Sequence, residues 1–209
     1  MKKIIFTLGL LFFSFSLYAQ LKHYISFNQK VYGNFLSIDE SRYKFKPSYR
    51  GGFFPLPSYR IEDKKNGVEI YAANILYDNF YNNNKKESDY YWFYNFAIGI
   101  NYSYLFLETP FFSARGIAGL SYNYNKHEIP IAVFHDDDGK VFDAIMGGGE
   151  EWTWGIQTGL NATATVWKGL FINGNLRYTF NPFAKYIEHK QNMIMELGIG
   201  YKIQRRKEK

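Results

Sequence analysis

The 209-residue sequence predicts an all-β fold: an eight-stranded antiparallel up-and-down transmembrane β-barrel. Three observations carry that expectation. Apolar residues recur at every second position over stretches longer than a soluble strand, which runs about five or six residues. The residues between them are small and hydrophilic but rarely charged. Tight turns alternate with long connections, as in barrels that cross a membrane with their strands.

The beginning reads as an export signal. Lys2 and Lys3 supply positive charge, residues 4–15 are mostly apolar, and Ser16-Leu17-Tyr18-Ala19-Gln20 ends in a small residue. That is a signal peptide at 1–19, too short for a membrane helix and excluded from the fold, although Leu17 is larger than the residue usually found three before the cut. About 190 residues remain, enough for one domain: a barrel at 20–203 and a polar periplasmic tail at 204–209. Cysteine is absent, which excludes disulfides, cysteine metal sites and a lipid-modified N-terminal cysteine. Aromatic residues make up 21% of the chain, yet its mean hydropathy is mildly negative. No later window approaches 18 uninterrupted apolar residues, so membrane helices are not expected. The net charge is +6, concentrated in the tail Gln204-Arg205-Arg206-Lys207-Glu208-Lys209. The tail lacks the aromatic interleaving of a nucleic-acid surface, so no nucleic-acid partner is expected.

Strands follow in order. The first three lie at about 23–33, 49–61 and 68–80, although Pro55 and Pro57 suit a central strand poorly. In the fourth, Trp92, Tyr94, Phe96, Ile98, Ile100, Tyr102 and Tyr104 alternate with Phe93, Asn95, Ala97, Gly99, Asn101, Ser103 and Leu105. The fifth sets Phe112, Ala114, Gly116, Ala118, Leu120, Tyr122 and Tyr124 against Ser113, Arg115, Ile117, Gly119, Ser121 and Asn123. The sixth is the clearest: from Trp152 to Val166 the even positions are apolar except Thr158, and the odd ones small or polar. The seventh carries Leu170, Ile172, Leu176, Tyr178 and Phe180; the eighth carries Met193, Met195, Leu197, Ile199, Tyr201 and Ile203.

Asp63-Lys64-Lys65-Asn66-Gly67, Leu107-Glu108-Thr109-Pro110 and Trp167-Lys168-Gly169 read as tight turns. Between them lie longer connections at about 34–48, 82–89, 126–150 and 181–190. With both chain ends on the short-turn side, an even strand count closes the sheet.

The polar column decides which face meets lipid. A solvated exterior is rich in Lys and Glu, whereas Gly, Asn, Ser and Thr suit the cramped inside of an eight-stranded barrel. Trp92, Trp152, Trp154, Tyr104, Tyr122, Tyr124 and Tyr178 lie near strand ends on the apolar column, where aromatic girdles meet headgroups. Arg on a lipid face costs about 2–4 kcal/mol near the midplane. Arg115, Arg177 and Glu196 fall on the polar column, as does Asp78 if Tyr71, Ala73, Ile75 and Tyr77 face lipid. An interior charge network follows, with Glu196 paired to Arg177 and with Arg115 and Asp78 nearby. It either seals the barrel or serves as a proton path or gate.

Glu196-Leu197-Gly198-Ile199-Gly200-Tyr201-Lys202-Ile203 resembles the assembly signal that ends small outer-membrane barrels of the OmpA and OmpX type, although many of those stop at the aromatic residue. The resemblance implies that Glu196, Gly198, Tyr201 and Ile203 are read by the barrel-insertion machinery. It also implies a Gram-negative outer membrane, with outer-membrane lipid and lipopolysaccharide around the protein. The family is functionally diverse, so fold does not deliver function.

Catalytic chemistry is harder to find. None of His23, His127, His135 and His189 sits in a strand beside a serine, as acyl hydrolysis needs, and His127, His135 and His189 read as solvated loop residues. His135-Asp136-Asp137-Asp138-Gly139-Lys140 lacks the ligand spacing of a calcium loop and reads as a turn joining 131–134 to 141–145 in a hairpin above the membrane. Gly147-Gly148-Gly149 precedes a strand with no helix after it, which leaves a phosphate cradle unsupported. No catalytic residue, metal or cofactor is expected and no binding residue is assigned. The expected role is non-enzymatic: stabilising the envelope, or presenting loop 126–150 to an extracellular partner, where Ile129, Ile131, Val133 and Phe134 either contact it or cover the mouth. The alternatives are a lipid A-modifying enzyme, a narrow pore and a soluble lipocalin-like carrier.

Overall fold

A computed structural model describes residues 21–34, 55–79, 91–135, 137 and 141–203. The signal segment, the tail and the connections at 35–54 and 80–90 lie outside the described residues, as does most of the Asp138-Gly139 turn. The rest forms eight antiparallel strands: β1 (Lys22–Asn34), β2 (Leu56–Asp63), β3 (Asn66–Asn79), β4 (Tyr91–Glu108), β5 (Phe112–His135), β6 (Val141–Trp167), β7 (Leu170–Phe180) and β8 (Gln191–Ile203). Each pairs with its sequence neighbours, and β1 pairs with β8, so the sheet is a closed barrel. Closure leaves no open edge in the wall, the condition for a sheet in hydrocarbon.

Turn chemistry sets the short end. Lys168 and Gly169 both have positive φ, at 33° and 95°, which a two-residue hairpin with a primed turn requires. Thr109 accepts the Phe112 N–H on its hydroxyl at 3.0 Å. His23 pairs with Ile203, and Lys22 with Glu62, so both ends of the barrel chain lie on this side.

The pleat turns apolar side chains outward and hydrophilic ones inward. Trp154 is 59% exposed, and Ile98, Leu120, Ile156, Leu160, Ile172 and Ile199 also face out. Asn95, Asn101, Asn123, Gln157, Asn161, Asn175 and Arg177 are buried inside. Tyr122 stacks on Trp152 at 5.1 Å and meets Trp154 at 4.9 Å, forming a girdle on the long-loop side. Beyond it, Tyr124 donates to Glu150 at 2.8 Å and Lys126 pairs with Glu128 at 3.1 Å. Charge replaces grease there.

Of the expected second strand, residues 49–54 lie outside the described residues and Leu56–Asp63 is observed; Pro57 is tolerated where it pairs with Phe27. Two expectations need correction. Segment 126–150 is not a loop, because β5 and β6 continue through it as a ladder that reaches Phe134–Asp143 and His135–Val141. β3 has the opposite parity to the one expected: Tyr71 and Ala73 face the interior, while Val68 and Ile70 face out. The Tyr71 ring fits because its β4 partner is Gly99, which leaves the space empty.

Candidate functional site at the barrel interior and mouth

The interior holds two ionic groups and, above them, a histidine relay. Nearest the short turns, Glu62 of β2 receives Arg60 at 2.6 Å and Arg115 of β5 at 2.8 Å. Arg60 also donates to Asn161 at 2.6 Å, and its guanidinium lies 4.7 Å from the Tyr24 ring centre. Farther in, Arg177 of β7 pairs with Glu196 of β8 and donates to both carboxylate oxygens of Glu69 at 3.2 and 3.3 Å. Its guanidinium lies 4.1 Å from the Tyr71 ring centre. Arg177 is 0% exposed. A buried arginine is tolerable only when paired and hydrogen-bonded, and two carboxylates with an aromatic face supply that.

The sequence-derived residues thus divide. Arg177 and Glu196 meet. Arg115 belongs to the Glu62 group instead, and the Asp78 side chain lies outside the described residues. Arg60, Glu62 and Glu69 were missed, because β2 and β3 lack a clean apolar column to fix which positions point inward. At the last strand, Glu196 and Gly198 face the interior, whereas Tyr201 and Ile203 face out.

At the mouth, His127 and His189 are not solvated. They are 4% and 0% exposed. β5 runs past the point where a loop was expected, so His127 continues the inward column of Ser121, Asn123 and Asn125. The connection after β7 folds over the opening. Asn181 donates through its amide to the His189 carbonyl at 2.6 Å, and the Asn181 N–H bonds the Lys190 carbonyl at 2.7 Å. A 3-10 turn at Ile187–His189 then drops His189 inward. Its Nε2 lies 2.8 Å from Nδ1 of His127, and its Nδ1 lies 2.7 Å from Oε1 of Glu151. Glu151 also accepts the backbone N–H groups of Lys185 at 2.7 Å and Tyr186 at 3.3 Å. The Tyr186 ring stands edge-on to both imidazoles, at 5.0 and 5.3 Å, over Gly149, where a Cβ would lie 2.1 Å from the ring.

With His189 Nδ1–H on the carboxylate, its Nε2 accepts the Nδ1–H of His127. The result is a carboxylate–imidazole–imidazole chain that can relay one proton. His23, by contrast, lies near the short turns and bonds the Tyr59 hydroxyl at 2.7 Å.

No protein-family model matches the chain, and no curated protein sequence matches it. Solved structures do. A major outer membrane protein from Thermus thermophilus superposes with a TM-score of 0.56 at 12% identity, covering 88% of this chain and 99% of that one. Ail, the attachment invasion locus protein of Yersinia pestis, gives 0.49 at 12% identity, covering 88% and 99%. The N-terminal β-barrel domain of Pseudomonas aeruginosa OprF gives 0.47 at 10%, covering 88% and 98%. The Thermus likeness supports the fold; the two looser ones carry no further argument.

Proposed function

We infer that this small eight-stranded barrel is an integral outer-membrane protein with a structural and surface-presenting role, its interior sealed and its mouth facing outward. One observation carries the reading. The apolar residues of every strand form the outer wall, while arginines and carboxylates are paired inside. Such a molecule is stable in lipid and unstable as a free soluble protein, since a large exposed apolar surface drives association in water. The fold shared with the Thermus outer membrane protein supports the compartment. Lipid and lipopolysaccharide are then its surroundings, and the insertion machinery its partner during assembly.

The paired charges argue against a pore. An eight-stranded barrel is just wide enough to be filled by side chains, and here the filling is ionic, with Arg177 fully buried. Among the described residues, the β5–β6 ladder extends beyond the aromatic girdle, where Phe134 and Ile145 are exposed. Such a surface suits an extracellular partner. Fractionation of envelopes, followed by quenching of Trp154 with brominated lipid in reconstituted vesicles, tests the reading; soluble protein or an unquenched Trp154 defeats it.

A second reading, a lipid A-modifying enzyme, draws on one observation: His189 and Glu151 are within hydrogen-bond reach. Both imidazoles, however, face the interior, away from acyl chains on the outer wall. Lipid A from cells carrying Glu151→Gln, compared with that from a deletion strain and the native strain, decides between them.

A further inference from the structure

The buried relay at the mouth has a property that sealing does not need. His127 Nδ1 and His189 Nε2 face each other at 2.8 Å. Between them there is room for one proton. If both rings are fully protonated, two N–H groups point at each other and two positive charges lie side by side, so the contact cannot persist.

We propose that the Glu151–His189–His127 chain is a proton-sensitive latch that holds segment 181–190 down in the mouth and releases it on acidification. At neutral pH the relay is complete. Glu151 anchors the segment at three points, through His189 Nδ1 and the N–H groups of Lys185 and Tyr186. Histidine titrates ordinarily near about 6.5, and the released segment takes up one proton more than the latched one. Linkage then shifts the equilibrium toward release by about tenfold per pH unit below that range.

From β6 the pair faces Glu151, which is already committed to His189. From the β7–β8 connection it faces Tyr186, with the Lys185 ammonium 5.3 Å from that ring's centre. Buried amides on the inward side near this end are Asn95 of β4, Asn125 of β5, Asn181 just after β7 and Asn192 of β8. Lys126 and Glu128 sit on the other face of β5 and pair with each other. Among these described side chains, Glu151 accepts from His189.

The chain has no cysteine, and Phe183 on the segment is 80% exposed, so Phe183→Cys gives a single spin-label site in the full barrel in nanodiscs. The mobile-to-fixed ratio of the label is expected to rise about tenfold per pH unit between about 6.5 and 4.5. In a His127→Gln background, which keeps a hydrogen-bonding amide but cannot ionise, it is expected to stay flat. Gly149→Ala, which displaces Tyr186 from its seat, is expected to free the label at pH 7.5 without any proton. A label that stays fixed in the native barrel down to pH 4.5, a pH profile unchanged by His127→Gln, or a label still fixed in Gly149→Ala each overturns the latch.

Discussion

The Tyr71 ring occupies the space that a side chain at Gly99 would need: a Cβ there would lie 2.4 Å from the Tyr71 hydroxyl. The two residues are directly paired across β3 and β4, and the ring placed this way supports Arg177 and donates its hydroxyl to Gln157. Gly99→Ala is therefore expected to destabilise the barrel by about 1–3 kcal/mol, the usual cost of overpacking. Tyr71→Phe keeps the ring and removes one hydrogen bond, at about 1 kcal/mol. Urea titrations of refolded protein in vesicles rank the two, and Gly99→Ala matching the native curve would show that the ring is free to move.

Arg177 serves two carboxylates, so its removal strands both. Arg177→Met is expected to cost about 3–5 kcal/mol, because Glu69 and Glu196 are then buried without compensation. Adding Glu69→Gln and Glu196→Gln to the same chain should recover most of that loss. A triple variant as unstable as the single one would mean that shape, not charge, holds the interior.

Depth along the outer wall should be measurable in lipid. Leu160→Arg places a charge midway along β6 between Trp152 and Trp167 and is expected to cost about 2–4 kcal/mol in vesicles, whereas Trp167→Arg at the strand end should cost about 0–1 kcal/mol. Equal costs would contradict an apolar belt crossed by β6.

Glu151 pins a stretch of backbone as well as a ring. Glu151→Ala removes the acceptor for the Lys185 and Tyr186 amides, and hydrogen exchange of those two amides is expected to speed up at least tenfold at pH 7.5. Amides in the middle of β7 should be unaffected, which separates loss of the anchor from loss of the barrel.

The last strand allows assembly and packing to be separated. Gly198→Ala would bring a Cβ within 2.0 Å of the Asn28 side chain and should lower stability in vesicles. Tyr201 faces outward, so Tyr201→Ala should leave that stability within about 0.5 kcal/mol while reducing the amount inserted in cells. Unchanged insertion would remove the assembly role that the terminal motif suggests.

How much was legible in the sequence differs from strand to strand, for physical reasons. From β4 to β8, outward positions are mostly aliphatic or aromatic and inward ones mostly amides, hydroxyls and glycines, so parity can be read directly. In β3 both columns contain aliphatic residues, and Tyr71 shares its column with Glu69. Tyrosine, with an apolar ring and a polar tip, suits either face, and only the empty space at Gly99 settles its direction. The relay was within reach: His127 sits two and four positions beyond Asn125 and Asn123 on the inward column, and Glu151 sits two before Thr153 on its own. What hid it was treating 126–150 as a loop, which ends the parity count too early. His189 had no such signal, because its position depends on how a connection folds over the opening.

The pairing of His23 with Ile203 constrains how the molecule is made. The two halves of that seam are almost the whole chain apart, so the ring of hydrogen bonds cannot be completed until the final residues have arrived. Any nascent or truncated form presents two raw strand borders to its surroundings until the circle is joined.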